Sequence, residues 1–287
     1  MMDDEPEVVA AAPRTGRRPR LFRPQVLPTM LTLGNLFCGY LAIAKAADAL
    51  AIPRVKGMGF PEEGVHLLWV AGWLLFAGMV FDALDGSVAR ISGGASALGN
   101  VLDSLADLVS FGVAPAFLAK CLAEGVGGMQ DRRVSLYFSV FFALMAALRL
   151  ARYSSHHGDP EEANLWFEGL PTPGAAGVIG ILAILVTDPD WRPEAWMLRW
   201  LPLVTLLLGL LMVSKLPYAH VTNRFLRGRK PVTYLVIAIL VLLLSMAWKV
   251  EVVLAGALFG YALSGPVVAL LRRRDPAASR GPGGGGA

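Results

Sequence analysis

Charged residues are scarce in this chain, at 17% of its 287 residues, whereas soluble domains carry about 25%. Hydrophobic residues make up 55%, and the mean hydropathy is +0.55. Cysteine is also rare: Cys38 and Cys121 lie in apolar runs without a CxxC partner, so we interpret both as small buried hydrophobic residues. The composition therefore excludes a large soluble domain and indicates an integral membrane protein.

The apolar residues fall into eight segments, each close to the length of about 20 residues that crosses a bilayer. We predict an all-α bundle of about eight transmembrane helices within a membrane domain of residues 25–272. Residues 1–24 and 273–287 are polar and predicted to be disordered tails, and without a cleavable signal peptide the first segment should be a retained helix. The segments cover approximately residues 27–50, 65–91, 98–121, 134–153, 172–187, 200–215, 232–248 and 251–271.

Basic residues are concentrated in three clusters, each beside an apolar segment. They lie before the first segment, in the loop 215–230 and after the last segment. With an even number of spans all three fall on one side, as the positive-inside rule requires of the cytoplasmic side. We therefore expect an integral protein of the cell (inner) membrane, with both termini and the active site on the cytoplasmic side. The clusters are better explained as topology determinants and lipid contacts than as a nucleic-acid surface.

Four aspartates interrupt the stretch FDALDGSVARISGGASALGNVLDSLADLVSFG, residues 81–112. Asp82, Asp85, Asp103 and Asp107 lie in segments that otherwise resemble membrane helices, where each carboxylate costs roughly 2.5–3.5 kcal/mol. Their spacings of three and four residues place each pair on one helix face. The linker ISGGASAL allows an antiparallel hairpin, which would bring the two faces together.

Facing carboxylates repel one another unless cations lie between them. Oxygen-rich sites select hard cations such as Mg²⁺, Mn²⁺ or Ca²⁺, and two such ions would suit a diphosphate substrate. Gly86, Ala89 and Gly99 share these faces and would leave room for a large ligand, although small residues at such spacing also serve helix packing. From residue types alone, an ion pathway in a cation transporter is an open alternative.

The full pattern, DxxDGxxARx8GxxxDxxxD, resembles the signature of the CDP-alcohol phosphatidyltransferase family, with every fixed position matched. The resemblance implies a six-helix core followed by two further spans, a pair of Mg²⁺ or Mn²⁺ ions, a CDP-linked lipid substrate and a homodimer. It also implies roles for individual residues. The four aspartates would surround the metals, Asp107 would deprotonate the acceptor alcohol, and Gly86, Ala89, Arg90 and Gly99 would lie at the CDP-lipid.

Four further stretches resemble the phosphatidylserine synthase branch of that family: residues 27–43, 102–116, 167–177 and 211–218. This resemblance implies transfer of a phosphatidyl group from CDP-diacylglycerol to L-serine, which yields phosphatidylserine and CMP. Other acceptors used within the family, such as glycerol 3-phosphate or inositol phosphate, are the nearest alternatives.

Two pairs of polar residues are further candidates for substrate contacts. Arg149 and Arg152, three residues apart, are predicted to contact the serine carboxylate or a phosphate, with interfacial anchoring as the alternative. Thr32 and Asn35 can share a face of the first helix, and the resemblance places them near the nucleotide or the acceptor alcohol. The alternative for this second pair is an ordinary hydrogen bond between helices.

Overall fold

The computed structural model describes residues 26–53, 61–92, 97–125, 132–155, 166–188, 200–219 and 249–274. Eight α-helices, one π-helical segment and two short strands make up this part of the chain. The helices are α1 (Val26–Ala51), α2 (Glu62–Ser92), α3 (Ala97–Asp107), α4 (Ala114–Gly125), α5 (Arg132–Ser155), α6 (Thr172–Thr187), α7 (Leu201–Val213) and α8 (Val250–Arg274). The π-helical segment Leu108–Val113 joins α3 to α4, and the strands are β1 (Trp166–Glu168) and β2 (Pro217–Ala219).

Five of the helical stretches are long and apolar enough to cross a membrane. They are Val26–Ala51, Glu62–Val88, Leu98–Gly125, Arg132–Arg152 and Val250–Leu271, and α6 and α7 are shorter apolar helices. The prediction of an all-α membrane bundle is thus confirmed, and seven of the eight predicted segments correspond to helices. The eighth, 232–248, lies outside the described residues, as do the predicted tail 1–24 and the chain beyond residue 274.

α2 packs antiparallel to both α1 and α6, and the bundle has two distinct ends. In the α1–α2 pair, Thr32 contacts Asp85 whereas Asn35 lies opposite Gly78, about two turns nearer the start of α2. In the α2–α6 pair, Gly72 lies opposite Gly180 and Met79 opposite Gly177. We call the end that carries β1 and β2 the ribbon end, and the opposite end the far end. The end of α2 and the starts of α1, α3 and α6 all belong to the ribbon end.

Small residues allow the helices to approach closely in the core. A Cβ atom on Gly72 of α2 would lie only 2.9 Å from the carbonyl oxygen of Gly180 in α6, and one on Gly39 of α1 would lie 2.7 Å from the Cα atom of Ser110. Buried alanines of α1, among them Ala42 and Ala46, extend this close packing. Such contacts stabilise membrane helices, because lipid tails offer no hydrophobic driving force between them.

The ribbon links the start of α6 to the end of α7, because β1 directly precedes α6 and β2 follows α7. β1 and β2 pair antiparallel, with Phe167 opposite Tyr218. Gly169 follows β1 with a positive φ of 81°, and its N–H group donates a 2.9 Å hydrogen bond to the carbonyl oxygen of Leu216. Only glycine adopts this conformation readily, so Gly169 allows the chain to turn from the ribbon into α6.

Candidate active site

Three of the four predicted aspartates form a tight group near the ribbon end. Asp82 and Asp85 of α2 and Asp103 of α3 each direct a carboxylate oxygen to a common point, and these atoms lie within 4.8 Å of one another. Asp85 is buried, with 5% of its surface exposed. The predicted hairpin of α2 and α3 therefore brings the two acidic faces together.

Asp107 lies one turn further along α3, outside this group of three. Its carboxylate is within electrostatic range of the other three aspartates, and its Oδ1 atom accepts a 3.1 Å hydrogen bond from Nδ2 of Asn35. Its Oδ2 atom has no hydrogen bond to another residue that the structure describes. Asp107 thus borders the carboxylate group, and its role as a metal ligand stays a prediction.

The two polar residues of α1 contact the aspartates directly. The Thr32 hydroxyl lies 2.8 Å from Oδ2 of Asp85 and donates to it, while Asn35 donates to Asp107. Both α1 side chains are buried. Sequence reasoning proposed contact with the CDP-lipid or hydrogen bonds between helices; the structure shows the hydrogen bonds, and the lipid contact stays a prediction.

The π-helical segment after Asp107 is a feature that sequence reasoning missed. Within it, the Ser110 hydroxyl donates a 2.9 Å hydrogen bond to the backbone carbonyl oxygen of Asn35, and Gly39 leaves the space for this contact. A π-helical turn holds an extra residue and is common at functional sites. It therefore fixes α3 against α1 just where Asp107 meets Asn35. No periodicity in the sequence marks it; the small residues Gly39 and Ser110 are the nearest signal.

The carboxylate group has the properties of a divalent-cation site. The Oδ1 atom of Asp103 is buried and has no hydrogen-bond partner among the residues that the structure describes, which costs about 1–3 kcal/mol unless another group satisfies it. Among the side chains that the structure describes, no lysine or arginine forms an ion pair with Asp82, Asp85 or Asp103. Clustered carboxylate oxygens are the donors that Mg²⁺ and Mn²⁺ prefer, so the group can hold such an ion.

The remaining motif residues lie around this group. Gly86 of α2 and Gly99 of α3 are half-buried. Ala89 and Arg90 belong to the last turns of α2, but their side chains are outside the described part of the structure. Contact of these four residues with the CDP-lipid stays a prediction.

The two predicted arginines differ in their surroundings. Arg149 of α5 is half-buried, and its Nη1 atom donates a 2.9 Å hydrogen bond to Oγ1 of Thr172 at the start of α6. Arg152, one turn nearer the end of α5, is exposed. Arg149 is therefore held within the ribbon end, whereas Arg152 lies at its surface.

Comparison with known proteins agrees with the geometry. The family model for CDP-alcohol phosphatidyltransferase matches residues 25–211. A Helicobacter pylori protein named CDP-diacylglycerol–serine O-phosphatidyltransferase is 31% identical over 197 residues, which cover 68% of this chain and 72% of the relative. Proteins of the same name from Mycobacterium tuberculosis and Saccharomyces cerevisiae are 32% and 40% identical, over 67% and 52% of this chain and 60% and 50% of their own length. Because the family model covers more than half of its length and the relatives are 31–40% identical, this chain belongs to the CDP-alcohol phosphatidyltransferase family.

Proposed function

We propose that this protein transfers the phosphatidyl group of CDP-diacylglycerol to L-serine, forming phosphatidylserine and CMP in phospholipid biosynthesis. The observation that carries this proposal is the group of three carboxylates on two neighbouring membrane helices, with a fourth at its border. The shared name of the relatives from bacteria and yeast supports serine as the acceptor.

Carboxylates repel an anionic substrate unless cations lie between the two. Asp82, Asp85 and Asp103, together with Asp107 at their border, would hold two Mg²⁺ or Mn²⁺ ions, which would neutralise the diphosphate and stabilise the departing phosphate. Thr32 restrains Asp85 through its 2.8 Å hydrogen bond, and such outer contacts orient the groups that bind metals. The chain therefore supplies a preorganised set of oxygen ligands before the substrate arrives.

Asp107 is placed to act as the general base. Its Oδ1 atom accepts the hydrogen bond from Asn35, which leaves Oδ2 to accept the proton of the serine hydroxyl. The serine oxygen then forms a bond to the lipid-side phosphorus, the bond from that phosphorus to the bridging oxygen breaks, and CMP leaves with that oxygen. Asn35 would keep the carboxylate aimed at the acceptor throughout.

Arg149 is the candidate for recognition of the acceptor. A serine carboxylate carries a single negative charge, which one guanidinium can match with two hydrogen bonds. Glycerol 3-phosphate and inositol phosphate carry a phosphate dianion and would call for a denser basic patch. Arg149, half-buried at the ribbon end, therefore supports serine, with its singly charged carboxylate, as the acceptor.

We further propose that the ribbon end faces the cytoplasm and that the protein is an enzyme of the cell membrane. The basic clusters of the sequence support this orientation, since α1 begins and α8 ends at the ribbon end, and two of the clusters precede the first span and follow the last span in the sequence. CDP-lipid headgroups and serine are both available on that side. A homodimer is an expectation that rests on the family resemblance.

The decisive experiment measures CMP release by the purified protein with CDP-diacylglycerol and Mn²⁺. Labelled serine, glycerol 3-phosphate and inositol phosphate are supplied in parallel. We expect CMP release that requires serine, stops with EDTA and returns with added Mn²⁺. Release with another acceptor instead of serine would reassign the substrate. Ion flux in liposomes without CMP release would show that the protein is a transporter and not this enzyme.

A further inference from the structure

The last helix, α8, lies outside the residues that match the family model, yet it reaches the candidate acceptor site. Tyr261 of α8 packs against the first turn of α6, where Thr172 binds Arg149, and its hydroxyl is within electrostatic range of that guanidinium. Gly174 of α6 allows this approach, because a Cβ atom there would lie 3.2 Å from Cε1 of the tyrosine ring. Arg149 and Tyr261 therefore both lie against the first turn of α6, from α5 and α8.

Tyr261 is in turn supported by a second tyrosine from the ribbon. The rings of Tyr218 and Tyr261 have centroids 5.8 Å apart, and the buried Tyr218 hydroxyl donates a 2.9 Å hydrogen bond to the carbonyl oxygen of Ala262. Burial raises the pKa of Tyr218 to about 12, so it stays a neutral donor. Gly265 leaves the space for the Tyr218 ring, since any side chain there would collide with it. This arrangement fixes the rotation and depth of α8.

We propose that Tyr261 is a positioning residue for Arg149, so that α8 completes the acceptor site. The inference rests on the proposed function, in which Arg149 contacts the acceptor carboxylate. An arginine side chain loses about 1.5–2 kcal/mol of rotamer entropy when it is ordered, so a guanidinium oriented in advance binds its ligand more tightly. Thr172 and Tyr261 supply that order from two helices.

The first test is Tyr261→Phe, which removes the hydroxyl and keeps the ring. We expect KM for serine to rise about five-fold, the loss that roughly 1 kcal/mol of binding represents, with kcat and KM for CDP-diacylglycerol unchanged. Tyr137→Phe, at an exposed position of α5, is the matched control and should change neither constant. Gly174→Ala crowds the Tyr261 ring without removing the hydroxyl and should raise KM for serine in the same direction, by about two-fold.

A double-mutant cycle then shows whether Tyr261 acts through Arg149. We expect Arg149→Lys to raise KM for serine, and Tyr261→Phe to add no further increase in that background. This inference alone would be overturned if Tyr261→Phe raised KM for serine equally in the wild-type and Arg149→Lys proteins. An unchanged KM for serine in an active Tyr261→Phe protein would overturn it as well. A wild-type protein that releases no CMP with serine would overturn the proposed function and this inference with it.

Discussion

Carboxylates at the two ends of the bundle have different partners. At the far end, Glu124 is buried but lies 3.0 Å from Nζ of Lys120 and accepts a hydrogen bond from Ser135. Also at the far end, Asp188 pairs with Lys249 at 2.9 Å. At the ribbon end, three carboxylates lie within 4.8 Å of one another and Asp107 borders them. A hydroxyl donates to Asp85 and an amide to Asp107, but no described lysine or arginine pairs with these aspartates.

The difference separates structural charges from functional ones. A buried charge is tolerated when a counter-ion repays the cost of removing it from water. The far end supplies that counter-ion from the protein itself, so its charges serve the fold. At the ribbon end we propose that the counter-ions are divalent cations bound together with the substrate. The absence of a basic partner among the described side chains is therefore the feature that distinguishes the site.

The largest expected effect comes from neutralising the ribbon-end carboxylates. Asp103→Asn and Asp107→Asn should each lower kcat on the order of 1,000-fold, because one removes a metal ligand and the other removes the base. Size-exclusion chromatography of the purified variants should show folded protein, since no ion pair among the described residues is lost. Asp48→Asn, whose side chain is 61% exposed at the far end, is the matched control. Wild-type turnover by Asp107→Asn would refute the base assignment.

A smaller loss is expected when a hydrogen bond to the carboxylates is removed. Thr32→Val keeps the shape of the side chain and deletes the bond to Oδ2 of Asp85. Substitutions of this kind lower metal affinity or activity about 10–100-fold, so we expect a higher Mn²⁺ requirement in CMP-release assays. Thr205→Val is the matched control, because the buried Thr205 hydroxyl bonds only to a backbone carbonyl within α7 in the described structure. An unchanged Mn²⁺ requirement in Thr32→Val would show that this contact is not part of the site.

At the far end the expected effect falls on stability instead of turnover. Glu124→Gln leaves the ammonium group of Lys120 without its carboxylate and should lower the free energy of unfolding by about 1–3 kcal/mol. The melting temperature in detergent measures this loss, while kcat per folded molecule should be unchanged. Adding Lys120→Met should recover part of the stability, because the unpaired charge is then removed. A fall in kcat without a fall in melting temperature would contradict the division between the two ends.

The smallest effect is expected at the exposed ion pair of the far end. The Lys249 side chain is 48% exposed, and such pairs contribute about 0–1 kcal/mol. Lys249→Met should therefore shift the melting temperature slightly and leave kcat and KM for serine unchanged. High salt should reduce the difference from wild type, because salt screens exposed charges. A large change in KM for serine would instead mean that the start of α8 affects Tyr261.

Much of the fold and part of the site follow from local patterns. Apolar runs of membrane length predicted seven helices that the structure contains. The spacings of Asp82, Asp85 and Asp103 predicted a shared acidic site, since helical periodicity decides which side chains lie on one face. The sequence predicted the same role for Arg149 and Arg152 and not that one is half-buried and the other exposed. Spacing along one helix does not show which neighbouring helix covers each side chain.

The sequence by itself determined the membrane class, the family and the identity of the acidic residues, because hydropathy, periodicity and motif spacing act over short stretches of chain. Only the tertiary structure decided that Asn35 holds Asp107, 72 positions away, that a π-helical segment bonds to α1, and that Arg149 and Tyr261 both lie against the start of α6. These contacts depend on the rotation and depth of each helix against its neighbours. Close packing between helices sets both quantities, and no single helix carries that information.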